Sequence, residues 1–167
     1  MKQFEPKNVK VNDYDFYIYP FPAFKAANMS GELISVLGPA LGSLASLLAN
    51  DAEKEGSNLL DIDVEKSAPA IAGAFSSVNG DKIEALLKKL LISGRNIAVE
   101  LEKGEDAEYL TEDALNNIFC GATEGMFVLA FHVIKVNFGG FFKKFKNLSG
   151  IAEKKFKAMM SQTNTED

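Results

Sequence analysis

The sequence predicts an α+β fold, a mostly helical single domain with a small antiparallel sheet. Three observations carry this. Val9 and Val11 alternate with Lys10, and Phe16 and Ile18 alternate with Tyr17, on either side of Asn12-Asp13. That is the pattern of a β-hairpin. A second alternating run, Ile97, Val99 and Leu101, supplies a half-buried strand near 96–101. Elsewhere apolar residues recur at three- and four-residue spacing, the period of a helix.

The elements follow in order. Tyr14 and Asp15 lengthen the hairpin connection beyond the tightest type and leave its register open. Pro20 and Pro22 end the second strand, since neither can donate to a ladder, and Pro22 suits a first helical turn. Residues 23–49 are helical in propensity with two interruptions. Ser30-Gly31 is the first, with Ser30 as N-cap of "ELISVL". Gly38-Pro39 is the second, where proline removes a donor and predicts a kink or a helix-helix corner. The polar run 51–58 reads as a loop. Asp61 or Asp63 then caps a helix whose main part starts at Pro69 and stops at Asn79-Gly80. Asp81 and Glu84 sit at capping-box spacing and open a helix closed by Gly94. Its apolar stripe is Ile83, Leu86, Leu87, Leu90 and Leu91, with Lys82, Lys88 and Lys89 outside. Tyr109-Leu110 pairs back on the 96–101 strand. Thr111 caps a short helix ending near Gly121, and Thr123 caps the last one.

At 167 residues the chain fits one domain with a sizeable core, and 47% hydrophobic with 25% charged residues is a globular mix. A single cysteine cannot form an internal disulfide, so the cytoplasm is the expected compartment. The N-terminus lacks the apolar core of a signal peptide. The net charge of −5 is unevenly placed. Residues 1–140 carry 12 Lys/Arg against 20 Asp/Glu, while residues 141–160 carry six lysines and one acid. The organisation read from this is a globular helical domain over 1–140, a hinged basic amphipathic helix over 141–160 and a disordered tail over 161–167.

Residues 125–145, "GMFVLAFHVIKVNFGGFFKKF", hold the only histidine and six of the thirteen phenylalanines. As a helix this segment puts Phe127, Ala130, Phe131, Ile134 and Phe138 on one stripe, with His132 and Lys135 beside it. No second histidine exists to complete a metal site or an acid–base pair, so His132 reads as an ordinary structural or surface residue. Cys120 stands at a helix C-terminus, whose partial negative charge disfavours a thiolate, and reads as a small buried apolar residue. A hydrolase using either residue is the weakest of the functional readings. Asp61, Asp63 and Glu65 suggest a calcium loop, but Lys66 and Ala72 occupy the positions that need Gly and Glu. They read as acids complementing a helix dipole. Phosphate-binding, dinucleotide and nucleophile-elbow motifs are absent, so neither metal nor cofactor is called for and the chain is not read as an enzyme.

Two stretches raise the membrane question. Residues 33–49 are uncharged, but 17 residues of helix span about 25 Å, short of the ~30 Å hydrocarbon core. The segment "FFKKFKNLSGIAEKKFKAMM" aligns Phe141, Phe145, Leu148, Ala152, Phe156 and Met159 among lysines. This pattern fits packing on its own domain, self-association, docking on a partner, or a membrane surface. Gly139-Gly140 and Ser149-Gly150 look like hinges. Nucleic acid is disfavoured by lysines without arginine on an acidic body.

The order of "IYPFPAFKAANMSGELISVLGPALGSL", "SAPAIAGAFSSVNGDKIEALLKKLLISGRNIAVEL" and "LTEDALNNIFCGATEGMFVLAFHVIKVNFGGFFKKF" resembles tail assembly chaperones of siphophages and related prophages of Gram-positive bacteria. The resemblance spans most of residues 18–145 and rests on apolar and small-residue patterns. It implies a non-enzymatic virion-assembly helper of the host cytoplasm, absent from the mature virion. Such proteins coat the tape measure protein and keep it soluble while tail tube protein polymerises around it. Many are made in two lengths by a programmed frameshift, and the Lys-Lys pairs at 143–144 and 154–155 are residues that A-rich slippery codons encode. On that reading Phe141, Phe142, Lys143, Lys144 and Phe145 form the partner-binding group, since exposed apolar side chains mark interaction surfaces. The alternative is a membrane-surface protein acting through the same basic, Phe-rich segment.

Overall fold

The computed structural model describes residues 5–49, 64 and 66–139, with side chains of the first helix described through residue 38. Strands β1 (Lys7–Val11) and β2 (Tyr14–Ile18) form the N-terminal hairpin, and the long helix α1 (Ala23–Ala49) follows. Next come α2 (Ala68–Ser76) and α3 (Gly80–Leu87), which continues into a π-helical turn, Lys88–Ile92. Strands β3 (Ile97–Glu100) and β4 (Glu108–Tyr109), helix α4 (Glu112–Phe119) and a last helix α5, residues 123–139, complete the described chain. The sheet is an antiparallel four-stranded array in the order β1-β2-β3-β4. The α+β class read from the sequence is the class observed.

The hairpin turn is tighter than the sequence suggested. Val11 pairs directly with Tyr14, leaving a two-residue loop. Asn12 and Asp13 have φ of 49° and 68°, the left-handed pair that matches the twist of the flanking strands. Asn and Asp tolerate that region, which is why Tyr14 and Asp15 remain available to the strand. The alternation then sorts the sheet. Val9, Val11, Phe16, Ile18, Ile97 and Val99 are buried on one face. Asn8, Tyr17, Ala98 and Tyr109 pair across the other. Leu101 lies beyond β3 and is exposed, so the strand ends one residue short of the predicted alternation.

Helix α1 runs as one 27-residue helix, without a break at Ser30-Gly31 or a corner at Gly38-Pro39. Ser30 is not a cap: its hydroxyl donates to the Ala26 carbonyl at 2.8 Å, the back-bond a mid-helix serine makes. Met29, Leu33 and Leu37 form its buried stripe, and it packs against α2 and α3. Across that contact Lys89 Nζ donates to both oxygens of Glu32, at 2.7 and 2.9 Å. Helix α2 begins at Ala68, with Ser67 at its N-cap position and Pro69 in its first turn, so it does not start directly after Asp63. The cap of α3 is Asn79, whose Oδ1 accepts from the Asp81 and Lys82 amides. The predicted Asp81–Glu84 box is thus displaced by a residue better placed to reach the first free N–H groups. All five residues of the predicted Ile83–Leu91 stripe are buried. Thr111 caps α4 as predicted, Oγ1 accepting from Ala114 N at 3.1 Å.

Helix α5 is the centre of the core. Val128, Leu129, Ala130, Phe131, Val133, Ile134 and Phe138 are all buried, a wider face than the single stripe predicted. Phe127 is half-buried and stacks on Phe75 of α2, centroids 5.3 Å apart. The first turn of α5 meets the hairpin, where a Cβ at Gly125 would lie 2.5 Å from Asn12 Nδ2. A larger residue there would have to push the Asn12 side chain aside. At the other end Asn137 Oδ1 accepts from Phe21 N at 2.6 Å, and its Nδ2 donates to the Val133 carbonyl at 2.9 Å. The Phe21 and Phe138 rings meet at 6.1 Å. The C-terminal end of α5 is thereby fixed beside the β2–α1 junction.

Candidate interaction surface

Phe141, Phe142, Lys143, Lys144 and Phe145 lie outside the described residues, as do the loop 51–58 and Asp61, Asp63 and Glu65. Asn137 and Phe138, near the last described residue, contact Phe21, two residues past Tyr19. Tyr19 is still aligned with the sheet, since its N–H donates to the Asn96 carbonyl at 2.8 Å. The last described turn of α5 is therefore anchored at one end of the sheet.

His132 is half-buried on α5, and burial together with Lys7 and Lys135 lowers its pKa from 6.5 to about 4. It is neutral at pH 7. Among the described residues no three His, Cys, Asp or Glu side chains gather to hold a metal ion. Cys120 is exposed, which corrects the expectation that it is buried. The reason is local. Ile118 and Phe119 supply the buried positions of that turn, and Phe119 stacks on Phe16 with centroids 6.0 Å apart. The chain then leaves the helix at Cys120, and Gly121 turns it with φ of 76°. An open cleft of about 510 Å³ lies at the turn end of the sheet, lined by Lys10, Asp13, Asp15, Glu100 and Lys103 among others. Its lining is mostly charged and polar, with Tyr14 and Leu101 as its apolar part, unlike the predominantly apolar wall of a small-molecule pocket.

Sequence reasoning missed the exposed rings. Phe24 is 94% exposed in the first turn of α1, Tyr109 54% and Tyr19 37%. "PFPAF" places Phe21 and Phe24 three residues apart. Only Phe21 turns inward, where Lys25 Nζ lies 5.1 Å from its ring centre. Desolvation there lowers the Lys25 pKa. Tyr17, Tyr19 and Tyr109 share the solvent face of the sheet by register, and the Arg95 guanidinium lies 5.4 Å over the Tyr109 ring. Ala98 sits between Tyr17 and Tyr109 in the pairing and is covered on a face that otherwise meets water. Next to these rings the β3–β4 segment 100–108 carries five acids and one lysine.

The described residues form a small α+β domain that displays the rings of Phe24, Tyr19 and Tyr109 on its surface. Residues 12–151 match the family model of the phage tail assembly chaperone protein, TAC. That is most of the chain, which belongs to the phage tail assembly chaperone family, and its role is that of a chaperone in phage tail assembly. No curated protein and no solved structure matches it. Among the described residues no helix is long and apolar enough to cross a membrane.

Proposed function

We propose that this chaperone binds the phage tape measure protein and keeps it soluble while the tail tube assembles around it. It works in the host cytoplasm through contacts alone, catalyses no reaction, and leaves before the virion is complete. Phe141, Phe142 and Phe145 supply apolar contact, and Lys143 and Lys144 keep the segment soluble and steer it toward acidic partners. The observation that carries this reading is the reach of the family match. It continues through residue 151, past the described part of α5, and so spans the Phe-Lys segment. A tape measure protein is expected to present long amphipathic helices, and a Phe-rich segment after a glycine pair can adapt to many similar apolar stripes.

The test is co-expression with the tape measure protein of the same phage. Replacing Phe141, Phe142 and Phe145 together with serine should abolish co-purification and leave the tape measure protein insoluble, with the chaperone's circular dichroism unchanged. Undiminished co-purification would remove this segment from the function. Flotation with liposomes should show no association, and lipid binding lost in the same variant would favour the membrane-surface alternative.

A further inference from the structure

The two ends of the sheet's solvent face carry opposite charge, and tyrosine rings lie between them. We propose that this tyrosine face, with Tyr17, Ala98 and Tyr109 at its centre, pairs with the same face of a second copy of the chain. The pairing is a two-fold dimer that sets Arg95 of each copy against the acidic β3–β4 segment of the other.

The register gives the layout. Ala98 pairs with Tyr17 on one side and Tyr109 on the other, so the three form one row across the strands. Toward the hairpin turn the next outward pair is Asp15 with Glu100. Like charges directly opposite each other destabilise a sheet and call for a cation. Lys10, the neighbour of Asp15 on β1, is drawn instead to Asp13 at 3.5 Å. From Glu100 onward the segment 100–108 carries five acids and one lysine. At the Tyr19 end the sign reverses. Arg95 rests on the Tyr109 ring and makes no ion pair among the described residues. Its backbone is held by a turn, its N–H donating to the Ile92 carbonyl at 3.0 Å. Lys25 Nζ lies beside Gly94, one residue away in the chain.

A two-fold axis running across the strands at the Ala98 row brings these unlike ends together. Glu100 lies two residues from Ala98, about 7 Å, and Arg95 three residues the other way, about 10 Å. Reversing the second copy therefore carries its Arg95 to the acidic end of the first, and the converse contact forms at the same time, as a two-fold interface requires. Tyr17 and Tyr109 meet the same rings of the other copy at the ~10 Å spacing of aligned, packed sheets. Four strands and five residues make a face of about 19 by 17 Å, well under the ~800 Å² per partner of a stable complex. The dimer is accordingly weak and depends on concentration.

Sedimentation velocity of the full chain over a concentration series tests this. The parent should show a monomer–dimer equilibrium that raised salt weakens. Arg95→Glu, and separately Glu105→Arg with Glu108→Arg, should each raise the dimer dissociation constant by about tenfold or more, since like charges then face each other. An equimolar mixture of the two variants should restore the dimer, because each Arg95 position again meets opposite charge. Circular dichroism checks that each variant is folded. Where Arg95→Glu is not, Arg95→Gly removes the same charge at a φ of 45°, which glycine accepts, and should also weaken the dimer. Replacing Phe141, Phe142 and Phe145 together with serine should leave the dimer intact. A parent that stays monomeric at every concentration would overturn the proposal. So would a dimer unmoved by either charge reversal, a mixture that stays monomeric, or a dimer lost in the phenylalanine variant, which places the contact outside the sheet.

Discussion

Single side chains decide how closely the layers of this fold meet. A Cβ at Gly94 would collide with Asn96 Oδ1 and lie 2.7 Å from the Phe21 ring. Gly94→Ala should therefore cost about 1–3 kcal/mol, as overpacking does. Gly73→Ala in α2 meets nothing within 4 Å and should stabilise by about 0.5–1 kcal/mol, as a helical glycine replaced by alanine does. Urea unfolding of the two variants reads the opposite signs. Asn137→Leu would leave the Phe21 amide without its acceptor and should cost about 1–3 kcal/mol. Nothing in the local sequence marks Asn137 for this role, because the amide that needs its acceptor lies 116 residues away. His132 gives a pH dependence with a definite sign. Its folded pKa of about 4 lies below the ordinary 6.5. As pH falls from about 6.5 toward 4, the unfolded chain binds a proton that the folded chain refuses. Stability is lost across that window, by about 2 kcal/mol after solvent screening is allowed for, and no further loss comes from this group below pH 4. His132→Gln should flatten the difference, seen as unfolding free energies of parent and variant that converge toward pH 4.

At the scale of elements, what the sequence revealed was what short-range chemistry enforces. The Ile83–Leu91 stripe, the Thr111 cap and the return of Tyr109 onto β3 all appear as their local spacing predicts. The errors came where two local rules competed. Ser30-Gly31 and Gly38-Pro39 are poor helix formers, yet α1 runs through them, and the burial of Leu33 and Leu37 against neighbouring helices outweighs the propensity cost. Asp81 offered a capping box, but Asn79 stood nearer the free amides. At the hairpin, Tyr14 and Asp15 looked like turn residues because Asn12 and Asp13 were not credited with left-handed backbone angles. The turn conformation carries a prediction. Asn12→Val puts a β-branched residue at φ 49° and removes the side chain that packs on Gly125. It should cost about 1–3 kcal/mol in strain. Asp13→Gly should hold or raise stability, since Asn-Gly is the favoured pair for this turn. Thermal melts of the two variants should move apart, Asn12→Val downward.

Across the whole molecule, the candidate contact group was legible in the sequence as chemistry but not as a place. Charge counts alone separate an acidic body from a basic, Phe-rich segment, whereas the exposed ring of Phe24 and the tyrosine face needed the register of four strands to be seen. The large fully buried side chains of the described residues come from the sheet, α1, α2, α3 with its π-helical turn, and α5, Phe16, Leu33, Ile71, Leu86, Leu90 and Phe138 among them. The proposed function predicts a sharp change in the cost of substitution within one helical turn of sequence. Phe138→Ser removes a ring that is 2% exposed and contacts Phe21, and should cost about 3–5 kcal/mol. Phe141→Ser and Phe142→Ser, only three and four residues later, should each stay within about 0.5 kcal/mol if these residues serve a partner rather than the core. Chemical denaturation of the three single variants measures this directly. If Phe141→Ser were as costly as Phe138→Ser, the segment would be core rather than contact surface, and its proposed binding of tail proteins would lose its physical basis.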